Sequence, residues 1–301
     1  MSSVTSKRRP TARVSAFELV KEAAVAFVAD DGFSRGASIA FYIVTSIVPI
    51  LVIVLSIAGA VYGSQAAQGA VASQLSRVTG WQAADLLEMV IRSASARPAG
   101  LVASGLGFLT LVATSSGVFT EMQAALNAIW KVPPKGSMVE RLLRGRVASL
   151  AIVASLGALL LLSLAISAAL AVPDEYINRH FPLGRLVLSM LNLGVSFVLI
   201  AILVAAIYKI LPDIDLQWHD VLVGAIATAL LFEAGNFLIG LYLRSSAIAT
   251  TYGAAGGLIA LLLWIYYSAQ IFLFGAEFTK AYATSKGSQR GRPDLMESDG
   301  R

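Results

Sequence analysis

The chain has 301 residues, 57% hydrophobic and only 14% charged, with a mean hydropathy of +0.74 and a formal charge of +5. A soluble domain is nearer half apolar and a quarter charged, so this composition excludes an ordinary soluble globule if the apolar residues fall in membrane-length blocks of about 20. No cysteine is present, which excludes disulfides, thiol nucleophiles and thiolate metal sites.

In segment 1–35, Lys7, Arg8 and Arg9 mimic the start of a signal peptide, but no apolar run follows before about Ala37. A cleaved signal is therefore not expected. Ser15 with Glu18 three residues on is a capping-box signature. Phe17, Val20, Ala24, Phe27 and Val28 then follow helical spacing, with Glu18, Lys21 and Glu22 elsewhere on the wheel. This predicts an amphipathic helix. It either lies along the inner membrane surface or packs under a helical bundle, and both readings stay open.

Six apolar stretches follow, at about 37–61, 101–119, 147–172, 186–208, 221–243 and 256–279. Pro49 falls inside the first and predicts a kink, because neighbouring helices can satisfy the carbonyl it frees. The segment 63–98 is too long for a structureless loop. Its stripes (Ala67, Val71, Leu75, Val78; then Trp81, Leu87, Val90, Ile91, Ala94) predict a helical hairpin on the outer face. From 283 to 301 the sequence is rich in Ser, Gly, Arg and Asp and reads as a disordered tail. The expected fold is all-α: an integral membrane bundle of six transmembrane helices over 36–282, with an N-terminal amphipathic helix and an outer hairpin.

Lys and Arg outside the spans give the orientation. The N-terminal segment, the second and fourth loops and the tail hold 17 of them, against 6 on the other side. The positive-inside rule then puts both termini in the cytoplasm.

Polar and small residues line one face of most spans. Ser38, Tyr42, Thr45, Pro49 and Ser56 do so in the first, and Thr110, Thr114, Gly117 and Glu121 in the second. The fourth adds Asn192 and Ser196, the fifth Glu233, Asn236 and Gly240, the sixth Tyr266, Gln270 and Glu277. Such stripes serve helix packing, as Gly59 with Gly63 and Gly253 with Gly257 would, or they line a water-accessible cavity. Glu233 sits near mid-span, where an acidic residue costs about 2.5–3.5 kcal/mol, so it should be neutral, paired or facing water. Both a functional role and a structural hydrogen bond fit it. Glu121 and Glu277 lie at the cytoplasmic ends, and Lys280 offers Glu277 a local ion pair. Gly253, Gly256 and Gly257 open the sixth span, either as binding backbone of the kind transporters use or as a close-packed helix start.

Three runs carry a resemblance to a known family. They are GASIAFYIVTSIVPILVIVLSIAGAVYG at 36–63, SSGVFTEMQAALNAIWKVP at 115–133 with its Leu-Asn-x-Ile-Trp-x-Val-Pro element, and the stretch 211–281. That stretch runs from LPD through WHDVLVGA and LFEAGNFLIGLYL to TYGAAGGLIALLLWIYYSAQIFLFGAEFTKA. Together they resemble the YihY/BrkB family of bacterial inner-membrane proteins, once catalogued as ribonuclease BN, over about 20–283. The resemblance implies a six-helix inner-membrane bundle with a role in envelope physiology and a proposed link to transport. It brings no catalytic residues.

The nuclease name finds no support in the residues. Metal-dependent hydrolysis needs clustered carboxylates or His, yet His180 and His219 fall on opposite sides of the expected membrane. Asp213, Asp215, His219 and Asp220 cluster without a known metal spacing, and Trp218-His219-Asp220 reads as the interfacial start of the fifth span. The expectation is a non-enzymatic protein without metal or cofactor and without nucleic acid as partner. Its leading function is transport of a small solute, ion or lipid component. The alternative is a structural or lipid-organising envelope protein whose basic inner surface meets anionic headgroups. Either is compatible with an oligomer.

Overall fold

The computed structural model describes residues 15–46, 117–134, 184–245 and 254–290, and every regular element among them is a helix. They are α1 (Ala16–Ala29), α2 (32–46), α3 (117–129), α4 (Gly184–Ile210), α5 (Trp218–Ser245) and α6 (Ala254–Ser285). Most of the first two spans, the third span, the outer hairpin at 63–98, Pro49, Gly253 and the tail beyond 290 lie outside the described residues.

The capping box forms as read from the sequence. Ser15 Oγ accepts from the Glu18 N–H at 3.2 Å, and the Glu18 carboxylate accepts from the Ser15 N–H at 2.7 Å. Two helices stop at non-glycine residues in the left-handed region, Asp31 (φ 56°) after α1 and Lys131 (φ 52°) after α3. After α3, Lys131 N–H reaches the Ala128 carbonyl at 3.1 Å and Val132 N–H reaches that of Asn127 at 3.0 Å. That is the Schellman pattern, which satisfies carbonyls the helix end would leave open.

α1 packs onto α6 through Leu19, Ala23 and Phe27, and Phe27 meets Phe274 edge-on at 6.1 Å. The helix is therefore packed on the bundle. Its buried stripe is turned from the one read in the sequence, because Phe17, Val20 and Val28 stay exposed.

α5 and α6 run antiparallel and exchange small residues. Gly224 leaves room for Thr279, Gly275 leaves room for Thr228, and Gly235 meets Tyr267 and Ile271. A methyl group at Gly224 or Gly275 would collide with the opposing hydroxyl, so the close approach depends on glycine. The hydroxyls are satisfied within their own helices: Thr228 donates to the Gly224 carbonyl at 2.8 Å and Thr279 to that of Gly275 at 2.7 Å. Tyr208 of α4 joins them, donating to the Phe272 carbonyl at 2.6 Å.

The stretches Trp218–Ile239 and Ile259–Ser285 are long and apolar enough to cross a bilayer. At 1.5 Å per residue they reach about 33 and 40 Å. The buried helix of a soluble core would pass the same test, but α5 keeps Leu222, Ile226, Leu230 and Leu241 exposed, and Phe237 is 72% exposed. α4 does the same with Met190, Leu193, Val198 and Ile202. Such an apolar exterior suits hydrocarbon and not water.

The α1–α2 turn, the end of α3, the α4–α5 loop and the end of α6 meet at one end of the bundle. Asn127 bonds Asp213, and Asp220 accepts from Ser288 N–H at 3.0 Å and from its hydroxyl at 2.5 Å. α6 thus continues past the compositional boundary at 282, and 286–290 fold back onto the start of α5.

Candidate functional site

The six candidate polar side chains do not converge. On α5, Gly224, Thr228 and Gly235 face α6, and helical spacing puts Glu233 on the opposite side. Glu233 and Asn236 are half-buried there, and Glu233 Oε1 is enclosed without a hydrogen-bond partner. Glu121 is half-buried on α3.

On α6, the polar face turns away from α5 and toward α1 and α2. Gln270 Nε2 donates to the Phe33 carbonyl at 3.3 Å, and its side chain fills the space left by Gly36. Its Oε1 is buried and unbonded. Two turns further on, Glu277 is 1% exposed, with both carboxylate oxygens unbonded. Tyr266 is half-buried one turn before Gln270. Gly256 and Gly257 lie within the first turn of α6.

The surroundings of Glu277 differ from the local pair expected with Lys280. Lys280 Nζ lies 4.0 Å from Asp30 Oδ2, and Lys131 is paired with Asp30 Oδ1. Two lysines, one just past the end of α3 and one on α6, thus serve the one carboxylate at the C-cap of α1, and Glu277 sits beside all three. Arg35 Nε donates to the Asp30 carbonyl at 2.9 Å. An open cleft of about 560 Å³ leads to this group, lined by Asp30, Asp31, Arg35, Asn127, Lys131 and Pro133 among others.

Beside the cleft, Asn127 and Asp213 form a reciprocal pair. Asn127 Nδ2 donates to Asp213 Oδ2 and Asp213 N–H donates to Asn127 Oδ1, both at 2.8 Å. Asp213 and Asp220 are therefore engaged with α3 and with Ser288, and among the described residues no group of three or more His, Asp or Glu side chains is arranged to hold a metal.

Asp30, Lys131 and the Asn127–Asp213 pair were not singled out as a site from the sequence. Asp30 carries no local signal, since its partners lie 101 and 250 positions away along the chain. Asn127 and Asp213 did stand inside the family-like runs, yet their pairing spans 86 positions.

Long apolar helices with lipid-type exteriors and a charged cluster at one end define a helical membrane protein. The chain matches the profile of the family described as virulence factor BrkB over residues 23–299, and it belongs to that family. It is similar to a UPF0761 membrane protein of Rhodospirillum centenum, with 27% identity over 91% of this chain and 59% of the relative. One of Alcanivorax borkumensis is 30% identical over 63% of the chain and 43% of the relative. One of Pseudoalteromonas translucida is 26% identical over 83% and 81%. The chain spans 59% and 41% of the first two curated relatives it matches. No solved structure matches it.

Proposed function

We propose that this membrane protein is a transporter, moving a small solute, ion or lipid component through its helical bundle, with both termini in the cytoplasm of a bacterium and the bundle in the inner membrane. One observation carries the reading. Glu233 Oε1 and Gln270 Oε1, on apolar helices, and both oxygens of Glu277, at the charged end of α6, are enclosed without hydrogen-bond partners. Each such group costs about 1–3 kcal/mol, a cost that a purely structural bundle has no reason to keep. A solute or ion pathway supplies one. The orientation rests on the 17-to-6 distribution of Lys and Arg.

The test is flux into proteoliposomes across candidate ions and lipids, with Glu233→Gln as the comparison. The expected result is a wild-type flux that Glu233→Gln lowers at least about tenfold, which corresponds to about 1.4 kcal/mol of lost stabilisation. Equal flux from the two proteins removes Glu233 from the pathway.

A second reading, a lipid-organising envelope protein, is favoured by α1. That helix keeps Phe17, Val20 and Val28 exposed with Lys21 at their edge, a pattern suited to an anionic membrane surface. It expects charge reversal at Lys7, Arg8 and Arg9 to weaken the cellular phenotype more than Glu233→Gln does. The transport reading expects the reverse order.

A further inference from the structure

We propose that Asp30 and Glu277 form a proton-binding carboxyl pair, in which Lys131 and Lys280 flank Asp30 and Glu277 takes up the proton. The site names an ion for the α6 end of the proposed pathway and so rests on that reading for its consequence. Its existence rests on the cluster alone.

The pair joins three segments of chain. Asp30 caps α1, Glu277 lies near the end of α6, and the cations come from the end of α3 and from α6 itself. The charged groups facing Glu277 are Lys280 on its own helix, Asp30 from the α1–α2 turn and Lys131 from α3. Arg35 of α2 bonds the Asp30 carbonyl and lines the same cleft with Asp31. From α5 the neighbour at this level is uncharged, Gly224 against Thr279.

Lys131 is paired with Asp30 and Lys280 lies 4.0 Å from it, while neither lysine hydrogen-bonds a Glu277 oxygen, so the two acids have unequal surroundings. An ionised carboxylate is an acceptor and needs donors; Glu277 is 1% exposed and has none. Bare burial of a charge is the most costly arrangement a side chain can adopt. A proton changes the chemistry, because the carboxylic acid becomes a donor and Asp30 is the acceptor at its side. A carboxyl donating to a carboxylate makes a strong charge-assisted bond, and neighbouring acids share protons as a pair. The step is only an O–H bond formed from solvent, with water reaching Asp30 through the open cleft.

Proton occupancy changes the local charge. With Glu277 ionised, the two acids balance Lys131 and Lys280. With it protonated, the cluster gains one positive charge where α1, α3 and α6 are tied together. The proton is thus placed to bias how firmly α1, α3 and α6 are tied together at that end.

The experiment is pH-difference infrared spectroscopy of the full-length protein in lipid nanodiscs, read at the carboxylic C=O stretch. The expected wild-type result is a carboxylic acid band that grows as pH falls, is lost in Glu277→Gln and persists in Glu233→Gln. Gln is close in shape and can donate to Asp30 as the protonated acid would, so this variant should fold. Should it fail to fold, Glu233→Gln protein made with isotopically labelled glutamate tests the assignment to glutamate, since the band must then shift, and Lys280→Gln locates it, since a band from Glu277 must then appear at higher pH. A band unchanged in Glu277→Gln, or unmoved by the glutamate label, overturns the proposal. A protein that shows the band but moves no solute keeps the site and removes the transport reading. Loss of the band's assignment leaves the Glu233 flux test standing on its own.

Discussion

Asn127 shows how much one side chain can hold together at the cleft. Its amide both donates to and accepts from Asp213, so it fixes the last turn of α3 against the buried α4–α5 loop. Asn127→Ala removes two hydrogen bonds in a buried setting and should destabilise the protein by about 1–3 kcal/mol. Thermal unfolding in detergent micelles measures this; an unchanged midpoint would mean that the loop is held by its other contacts. At Asp31 the backbone, and not the side chain, sets the expectation. Its φ of 56° suits glycine better than any other residue, so Asp31→Gly should be tolerated. Asp31→Val should destabilise by about 1–2 kcal/mol or more, because a β-branched residue resists the left-handed region. Equal stability of the two variants in the same assay would show that the turn relaxes.

At the level of helices, the α5–α6 contact repeats one device in both directions. Gly224 and Thr228 on α5, and Gly275 and Thr279 on α6, are each Gly-x-x-x-Thr, and each glycine receives the threonine of the other helix. Gly275→Val would drive a branched side chain into Thr228 and Tyr208 and should cost about 1–3 kcal/mol. Gly194, which has open space around its Cβ position, is the control, and Gly194→Ala should leave the unfolding midpoint unchanged or raise it. In the sequence, small-residue spacing points to Gly59 with Gly63 and Gly253 with Gly257, pairs that reach outside the described residues, whereas the exchange between α5 and α6 becomes visible only once the partner helix is in place. Composition also marked the start of α5 at Trp218 and the capping box of α1. It did not give the rotation of α1, because that helix is apolar on two adjacent faces. Leu19, Ala23 and Phe27 make one, and Phe17, Val20 and Val28 the other; only the partner, α6, decides which is buried. The charge cluster was illegible for a related reason. Periodicity reports the face a residue occupies, whereas Asp30, Lys131 and Lys280 meet through the packing of three distant helices.

For the whole molecule, alternation across a membrane requires every second connection to return to the same side. Contacts already bring the α1–α2 turn, the end of α3, the α4–α5 loop and the end of α6 to one end. These are the connections that the Lys and Arg count groups together, so the charge count and the packing gather the same four connections at one end. The absence of cysteine makes the arrangement directly measurable, because any introduced thiol is unique. Gln217→Cys and Arg290→Cys, both outside the long apolar stretches, should react with a membrane-impermeant thiol reagent in inside-out vesicles and resist it in intact spheroplasts. Ala70→Cys, in the segment expected on the outer face, should give the opposite pattern. Labelling of positions 70 and 290 from the same compartment would mean that an odd number of crossings does not separate them. The pathway, its orientation and the cytoplasmic access proposed for the Asp30–Glu277 pair would then fall together. Opposite labelling would place that cleft on the side where cytoplasmic pH sets its protonation.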